Sequence, residues 1–515
     1  MRIDSLEIKS RWKNLGGFKI DFDERRDIAV IIGKNGAAKS NLLEALITIF
    51  RDLDLSEPCS FSYEIKYLTE GKKVVLRGEE GKQPTADVDG EYAALEDVRK
   101  QWSPRYVVGY YSGASDRFEE LFLKHDLRAR DLTLIPRSKT STPQRLELRR
   151  FIYARPVHGL FALLAFYFSN DAEVVTFLRE LPRIEAFDSA LLVVHKPSWA
   201  RKGASAETFW GAKGPVRDLL DCIRANSLAP FSRKVRVKPD FAKTETRELV
   251  YLYLPDRNAL DSIAAKYDRD PNSLFQALDT MRLSGLLEDF RVRVRVIGAT
   301  GAIHTRQLSE GEQQLLTVLG LMRFTRNAGS LYVLDEPDTH LNPYWVVEYL
   351  ERLRTIGGIE RNSHTILVTH DPLQVAGLLK EEIRVLLRLN NGRIIAIEPE
   401  ESPRGTGVAG VLTSPLYGLE SQLDKFSLRT LKRIYDVSSE PRSEKRTRHL
   451  RRLKRLLPAI ETAETSPDPY RNIARDAYQI AQDQVMESDE SSDRKKSIID
   501  QLAARLVEET VEELS

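Results

Sequence analysis

Residues 28–50 read Ile-Ala-Val-Ile-Ile-Gly-Lys-Asn-Gly-Ala-Ala-Lys-Ser-Asn-Leu-Leu-Glu-Ala-Leu-Ile-Thr-Ile-Phe, and no other stretch constrains the fold as tightly. Ile28 to Ile32 is an unbroken apolar run, as a central parallel strand buried on both faces should be. From Ser40 onward Leu42, Leu43, Leu46, Ile47 and Phe50 fall along one side of a helix. Between strand and helix stand Gly33, Lys34, Asn35, Gly36, Ala37, Ala38, Lys39 and Ser40. A strand, a glycine-bearing loop and a helix N-terminus in that order aim backbone N–H groups and the helix dipole at one point, which suits a phosphate. In the G-x-x-x-x-G-K-[ST] pattern Lys39 binds the β- and γ-phosphates and the Ser40 hydroxyl ligates Mg²⁺. Ala38 departs from the pattern: it stands where a second glycine is expected, and its methyl group crowds the loop. A bare strand-to-helix turn that binds nothing is the alternative, and the motifs downstream weigh against it.

Those motifs come in a fixed order. Leu308-Ser309-Glu310-Gly311-Glu312-Gln313-Gln314 precedes an apolar helix from Leu315 to Met322. Leu331-Tyr332-Val333-Leu334 is a short apolar strand ending in Asp335-Glu336-Pro337, followed by Asp338-Thr339-His340-Leu341-Asn342-Pro343. Thr365 to Thr369 forms another such strand, ending at His370. The set resembles ATP-binding cassette ATPases, and the glutamates of LSEGEQQ place it nearer the SMC/RecF branch than the transporters. The resemblance covers about residues 1–60 and 296–400. It implies an α/β P-loop NTPase fold of the ABC/SMC-head type, with ATP and Mg²⁺ as ligands. It further implies that Asp335 holds the metal, Glu336 acts as general base, His370 is the switch histidine and Asp338 the key D-loop residue. Ser309 and Gly311 then face the γ-phosphate of ATP on the opposite subunit, so a homodimer or higher homo-oligomer is expected. No clear Q-loop glutamine is present; the Tyr110-Tyr111-Ser112-Gly113 turn takes that place, or is an ordinary strand-end turn. Ala38 and the absent glutamine both allow slow hydrolysis.

The expected organisation is four-part: the first portion of the ATPase domain over 1–120, a mainly helical insertion over 121–295, the second portion over 296–400, and a helical partner or oligomerisation region over 401–515. The insertion carries helical patterns around 156–183, 214–226 and 258–288 with strand-like runs at Ala190–Val194 and Leu249–Leu254, and lacks the heptads of a coiled-coil arm. The net charge of +2 over 515 residues gives no global attraction to nucleic acid or membrane. Two cysteines, Cys59 and Cys222, with no CxxC spacing fit a reducing cytosol. The N-terminus lacks a signal-peptide core and no apolar stretch approaches the ~20 residues of a membrane span, so a cytoplasmic protein without membrane contact is expected.

Four jobs compete for such an ATPase. The LSEGEQQ branch and the large insertion weigh against a transporter subunit. A nuclease of the OLD kind needs an acidic Toprim pair, absent from 400–515, so no intrinsic nuclease is expected. A RecF/SMC-like repair clamp binding DNA directly stays open. Tyr110 to Gly113 with Arg117, and Leu412-Thr413-Ser414-Pro415-Leu416-Tyr417-Gly418-Leu419-Glu420-Ser421, resemble the PtuA family of Septu-type and retron-associated anti-phage ATPases. That resemblance implies a sensor or regulator subunit with a separately encoded HNH-type nuclease as partner. The basic run Arg442 to Arg455 is a candidate nucleic-acid contact, or a solvated helix face or acidic-protein dock. A closing amphipathic helix from Ser497 to Leu514 is a candidate partner contact, and the acidic Asp489 to Asp493 reads as linker.

Overall fold

The computed structural model describes all residues except 135–148, 169–170, 181, 241–242, 327–328, 358–362, 420, 422, 440–442, 458–499, 503 and 506–515. The chain divides into two units, Met1–Gly405 and Thr406–Ser515.

In the first unit the apolar runs become the middle of a seven-stranded sheet. Its order is Ile394–Ile397, Ile383–Arg388, Ile28–Gly33, His364–Val368, Leu331–Asp335, Val107–Tyr111, Phe151–Tyr153. All neighbours pair in parallel except the Ile383–Arg388/Ile394–Ile397 hairpin. Every residue of Leu331–Asp335 and His364–Val368 is buried, as strands covered on both faces require. A six-stranded antiparallel sheet is built from Phe18–Asp21, Arg2–Ile8, Tyr63–Thr69, Lys72–Gly78, Thr85–Val88 and Glu91–Ala93. Helix Lys39–Leu55 shares one core with both sheets, Leu42, Leu46, Ile49 and Phe50 lying in a cluster with Ile3, Leu6, Ile65, Tyr67, Ile31 and Val368. A helix buried on nearly all sides has a fixed direction, and that aims its N-terminus at the ends of the parallel strands.

Residues 121–295 hold more helix than strand and contribute most of a five-stranded antiparallel sheet, Phe231–Asp240, Lys243–Leu254, Ile184–His195, Leu287–Val296, Ala302–His304, whose last strand lies beyond 295. The expected strand at Ala190–Val194 is the later part of one of these, Ile184–His195, and Leu249–Leu254 the end of another. The 156–183 pattern resolves into helices Pro156–Phe166 and Ala172–Glu180, and 258–288 into Arg257–Lys266, Pro271–Leu283 and the start of a strand. Below them lies a buried ion cluster. Asp279 accepts from Arg149, from Arg282 at 2.9 Å and pairs with His158 at 3.1 Å, while Asp126 pairs with Arg149 at 2.8 Å. Burial pushes the His158 imidazole down to about 4, so it is neutral, and the two arginines hold the Asp279 carboxyl well below its ordinary range.

In the second unit Gly407–Thr413, Lys425–Ser439 and Glu444–Lys454 are helices. The last carries most of the basic run, with Lys445, Arg448, Arg451 and Arg452 exposed; Arg442 lies outside the described residues, as do Glu420 and the acidic 489–493 segment. Of the closing 497–514 helix, 500–502 and 504–505 are described, as helix. Among the described residues no helix is long and apolar enough to cross a membrane.

Candidate nucleotide site

The loop 33–40 leaves its strand at Gly33, where φ is 154° and an added Cβ would stand 2.5 Å from the Leu386 carbonyl oxygen. Gly36 turns the chain at φ 81°. Ala38 caps helix Lys39–Leu55 in the left-handed region, φ 64° and ψ 21°, which explains why the pattern asks for glycine there. Lys39 is buried and its Nζ donates to Gly33 O at 2.8 Å. Burial lowers its pKa, while Glu336 and Asp335 pull it back up.

Strand Leu331–Asp335 lies one strand away from Ile28–Gly33 and delivers two carboxylates beside the loop. Asp335 is 2% exposed and bonded to the Ser40 hydroxyl, and burial raises its pKa to about 6. Its Oδ2 is buried and has no hydrogen-bond partner. Two hard oxygen donors, one with an orphaned buried atom, fit Mg²⁺, which takes few protein ligands and completes its shell with water and phosphate. Glu336 holds φ 50°, strained for a residue with a side chain, and is pinned by N–H donation to Val368 O at 2.9 Å and by Thr339 Oγ1 donating to its carbonyl at 2.8 Å. His370 Nε2 sits 3.3 Å from Glu336 Oε1. Burial and then Lys39 lower the His370 pKa against the pull of Glu336, leaving a neutral ring.

Lys39, Ser40, Asp335, Glu336 and His370 are thus brought together. Asp338 is placed differently. Its carboxylate is buried, accepts from Thr369 Oγ1 at 2.5 Å and has its pKa raised by burial to about 6, so it ties the 336–342 loop to the next strand. Ser309 caps helix Glu310–Thr325 in a capping box with Glu312, its N–H donating to Glu312 Oε2 at 2.7 Å. A Cβ on Gly311 would stand 2.5 Å from His340 O, and Gln314 Nε2 donates to Pro337 O. The signature helix therefore leans on the far side of the same loop. Among the described residues no hydrogen bond or ion pair joins Ser309 to residues 33–40.

The Tyr110–Gly113 turn follows the strand paired with Leu331–Asp335, Tyr111 standing opposite Asp335. Ser112 N–H donates to Asp335 O at 3.2 Å and its hydroxyl lies 3.2 Å from Thr339 Oγ1. The sequence reading missed a charged network behind the site. Glu44, buried on the phosphate-loop helix, pairs with Lys13 and Arg117, and Arg117 Nη2 donates to Asn41 Oδ1 at 2.6 Å. Arg117 also lowers the pKa of Asp335. A lone carboxylate in Leu-Leu-Glu-Ala-Leu-Ile was the available signal, since a buried charge demands partners.

Comparison with known proteins adds the following. Residues 178–376 match the family described as "AAA domain, putative AbiEii toxin, Type IV TA system", a span holding the signature, both strand-end carboxylates and His370 but not the phosphate loop. Septu protein PtuA of Bacillus mycoides (strain KBAB4) is 24% identical over 225 residues, 42% of this chain and 31% of that protein's length. The chain thus matches about a third of that relative. Among solved structures, an SMC head domain from Thermotoga maritima aligns over 78% of this chain and all of its own, with 14% identity and a TM-score of 0.32. The recombination mediator protein RecF aligns over 77% of this chain and 98% of its own, with 12% identity and a TM-score of 0.29. Residues 178–376 thus match an AAA-family domain, and the chain resembles Septu protein PtuA.

Proposed function

We propose that the chain hydrolyses ATP at a site shared between two copies and serves, in the cytoplasm, as sensor or regulator subunit of an anti-phage complex. The observation that carries the catalytic part is the meeting of Ser40, Asp335, Glu336 and His370 at the mouth of the phosphate loop. Lys39 exchanges its bonds to loop carbonyls for the β- and γ-phosphates. Ser40 and Asp335 hold Mg²⁺, which would neutralise phosphate charge there. Glu336, oriented by the N–H of His370, accepts a proton from the attacking water. The water oxygen bonds to the γ-phosphorus as the bond to the bridging oxygen of ADP breaks, giving ADP and phosphate. The signature N-cap of a second copy, Ser309 with Gly311, closes on the γ-phosphate, and Asp338 orders the loop between the two halves.

The defence role rests on the similarity to Septu protein PtuA, and the partner that fits this reading is a separately encoded HNH-type nuclease. The exposed basic helix Glu444–Lys454 favours a second reading, a RecF/SMC-like clamp that binds DNA directly. Glu336→Gln tests the catalysis: ATP binding persists and turnover falls at least a hundredfold, whereas unchanged turnover places the base elsewhere. Co-purification with products of neighbouring genes tests the role. An HNH nuclease supports the defence complex, and DNA bound with no protein partner supports the clamp.

A further inference from the structure

The five-stranded sheet of the insertion has a buried face and an open one. Val292 and Val294 point into the core with Leu192, Val194, Leu252 and Leu254. Alternate residues of the same strand, Arg291, Arg293 and Arg295, stand exposed about 7 Å apart along the strand. Across the sheet Arg291 lies opposite Leu191, and Leu191 opposite Tyr253; two residues along, and so on the same face, Phe231 pairs with Tyr251. Directly paired residues share a face, so a row of arginines and a group of aromatic rings occupy one surface. The rings are open: Phe231 is 55% and Tyr253 37% exposed, and Phe231 stacks on Tyr251 at 4.8 Å. Of the acidic groups nearby, Asp289 holds Arg291 and Arg306, each at 2.6 Å, while Glu185 and Asp188 stand on the adjacent strand next to the residues paired with Arg295 and Arg293. Among the described residues Arg293 and Arg295 make no ion pair.

Exposed aromatics cost solubility, and Arg293 and Arg295, without ion pairs among the described residues, add positive charge beside Arg291, so the pair of features calls for an occupant with negative charge and flat apolar faces. We infer that this sheet face binds single-stranded nucleic acid, its phosphates on the arginine row and its bases stacked on the tyrosine and phenylalanine rings. A duplex fits less well, because its bases are stacked on one another and cannot reach the rings. The strand of arginines continues through Ala302–His304 and Thr305–Gln307 into the signature, and Arg306 stands three positions before Ser309. Nucleic acid held at Arg291 and Arg306 therefore bears on the entry to the signature helix. This surface is built from residues of the first unit alone, and binding there does not depend on ATP turnover.

The test is fluorescence anisotropy of the full chain with a labelled thymidine oligonucleotide of about 20 nucleotides and with a duplex of equal length, across a salt series. The single strand binds more tightly than the duplex. Arg293→Glu with Arg295→Glu weakens it at least tenfold and lowers the salt slope by about 1.4, two phosphate contacts' worth. Tyr253→Ala weakens it roughly tenfold with the slope unchanged. Lys445→Glu with Arg448→Glu leaves it as it was, and so does Lys39→Ala, which removes turnover. Arg293→Gln with Arg295→Gln, matched to the parent in thermal midpoint, excludes misfolding as the cause. No binding of the single strand, preference for duplex, or affinity that survives the arginine reversals or is lost instead with Lys445 and Arg448 overturns the inference.

Discussion

Ala38 carries a methyl group at φ 64°, a conformation that costs a non-glycine residue about 1–2 kcal/mol. Ala38→Gly is expected to stabilise the protein by about 1 kcal/mol, net of the freedom glycine adds to the unfolded chain, read as a higher denaturant midpoint. A lower midpoint would mean that the methyl packs productively. Asp335 sets a second trade at single-residue scale. Burial lifts its pKa from the ordinary 3.8 to about 6, so the folded state holds its proton more tightly than the unfolded chain. The sign follows: its favourable contribution is complete below about pH 4 and is lost as pH rises to 6, leaving a charged, buried carboxylate worth up to about 3 kcal/mol of destabilisation above that. Asp338, lifted to about 6 in the same way, adds to this slope. Asp335→Asn should therefore raise the melting temperature at pH 8, flatten its fall between pH 4 and 7, and remove Mg²⁺-dependent turnover. A variant that melts lower at pH 8 would show that the charge is satisfied. In the parent, Mg²⁺-dependent nucleotide binding should weaken as pH drops below about 6, when Asp335 takes up its proton.

At the scale of elements, two contacts decide how the insertion and the signature helix are held. Gly311→Ala puts a Cβ 2.5 Å from His340 O, so the helix must back away from the 336–342 loop; a loss of about 1–3 kcal/mol and most turnover is expected, more than helix propensity returns. Asp279→Ala leaves Arg149 and Arg282 buried without their shared carboxylate and should cost about 3–5 kcal/mol by denaturant melting. A change under 1 kcal/mol would mean that water reaches the cluster. Which elements were legible follows from the same physics. Ile28–Gly33 and Leu331–Asp335 announced themselves because strands buried on both faces are continuous apolar runs, and each delivers its chemistry at its end. Ser40, Asp335, Glu336 and His370 were found from motif order and do meet. In the six-stranded sheet Arg2–Ile8 and Phe18–Asp21 show half-buried alternation in the sequence, whereas Tyr63–Thr69 went unread although it alternates and Glu70-Gly71 marks its hairpin, since no chemistry drew attention to it. Arg-Val-Arg-Val-Arg-Val went unread, although strict alternation of charged and apolar residues is the pattern of a strand with one open face. Glu44 with Arg117, and Asp338 with Thr369, depend on pairings across 73 and 31 residues that no local pattern carries.

At the scale of the whole molecule, the phosphate loop lies by Asp335 and Glu336 while the signature helix packs on Pro337 and His340, and among the described residues no hydrogen bond or ion pair joins Ser309 to residues 33–40. On the proposed reading each copy holds two half-sites, which pairing would complete. Glu336→Gln, by preserving ATP binding while stopping turnover, should trap the paired form, so that the mass in solution with ATP and Mg²⁺ rises above that of the nucleotide-free chain. The most direct measurement mixes two inactive proteins, Lys39→Ala and Ser309→Arg. In a mixed pair, the Ser309→Arg copy supplies an intact phosphate loop and the Lys39→Ala copy an intact signature, which restores one complete site. The account predicts ATP turnover in the mixture that neither variant has alone; a mixture as inactive as its components, although the two copies are shown to associate, would contradict it.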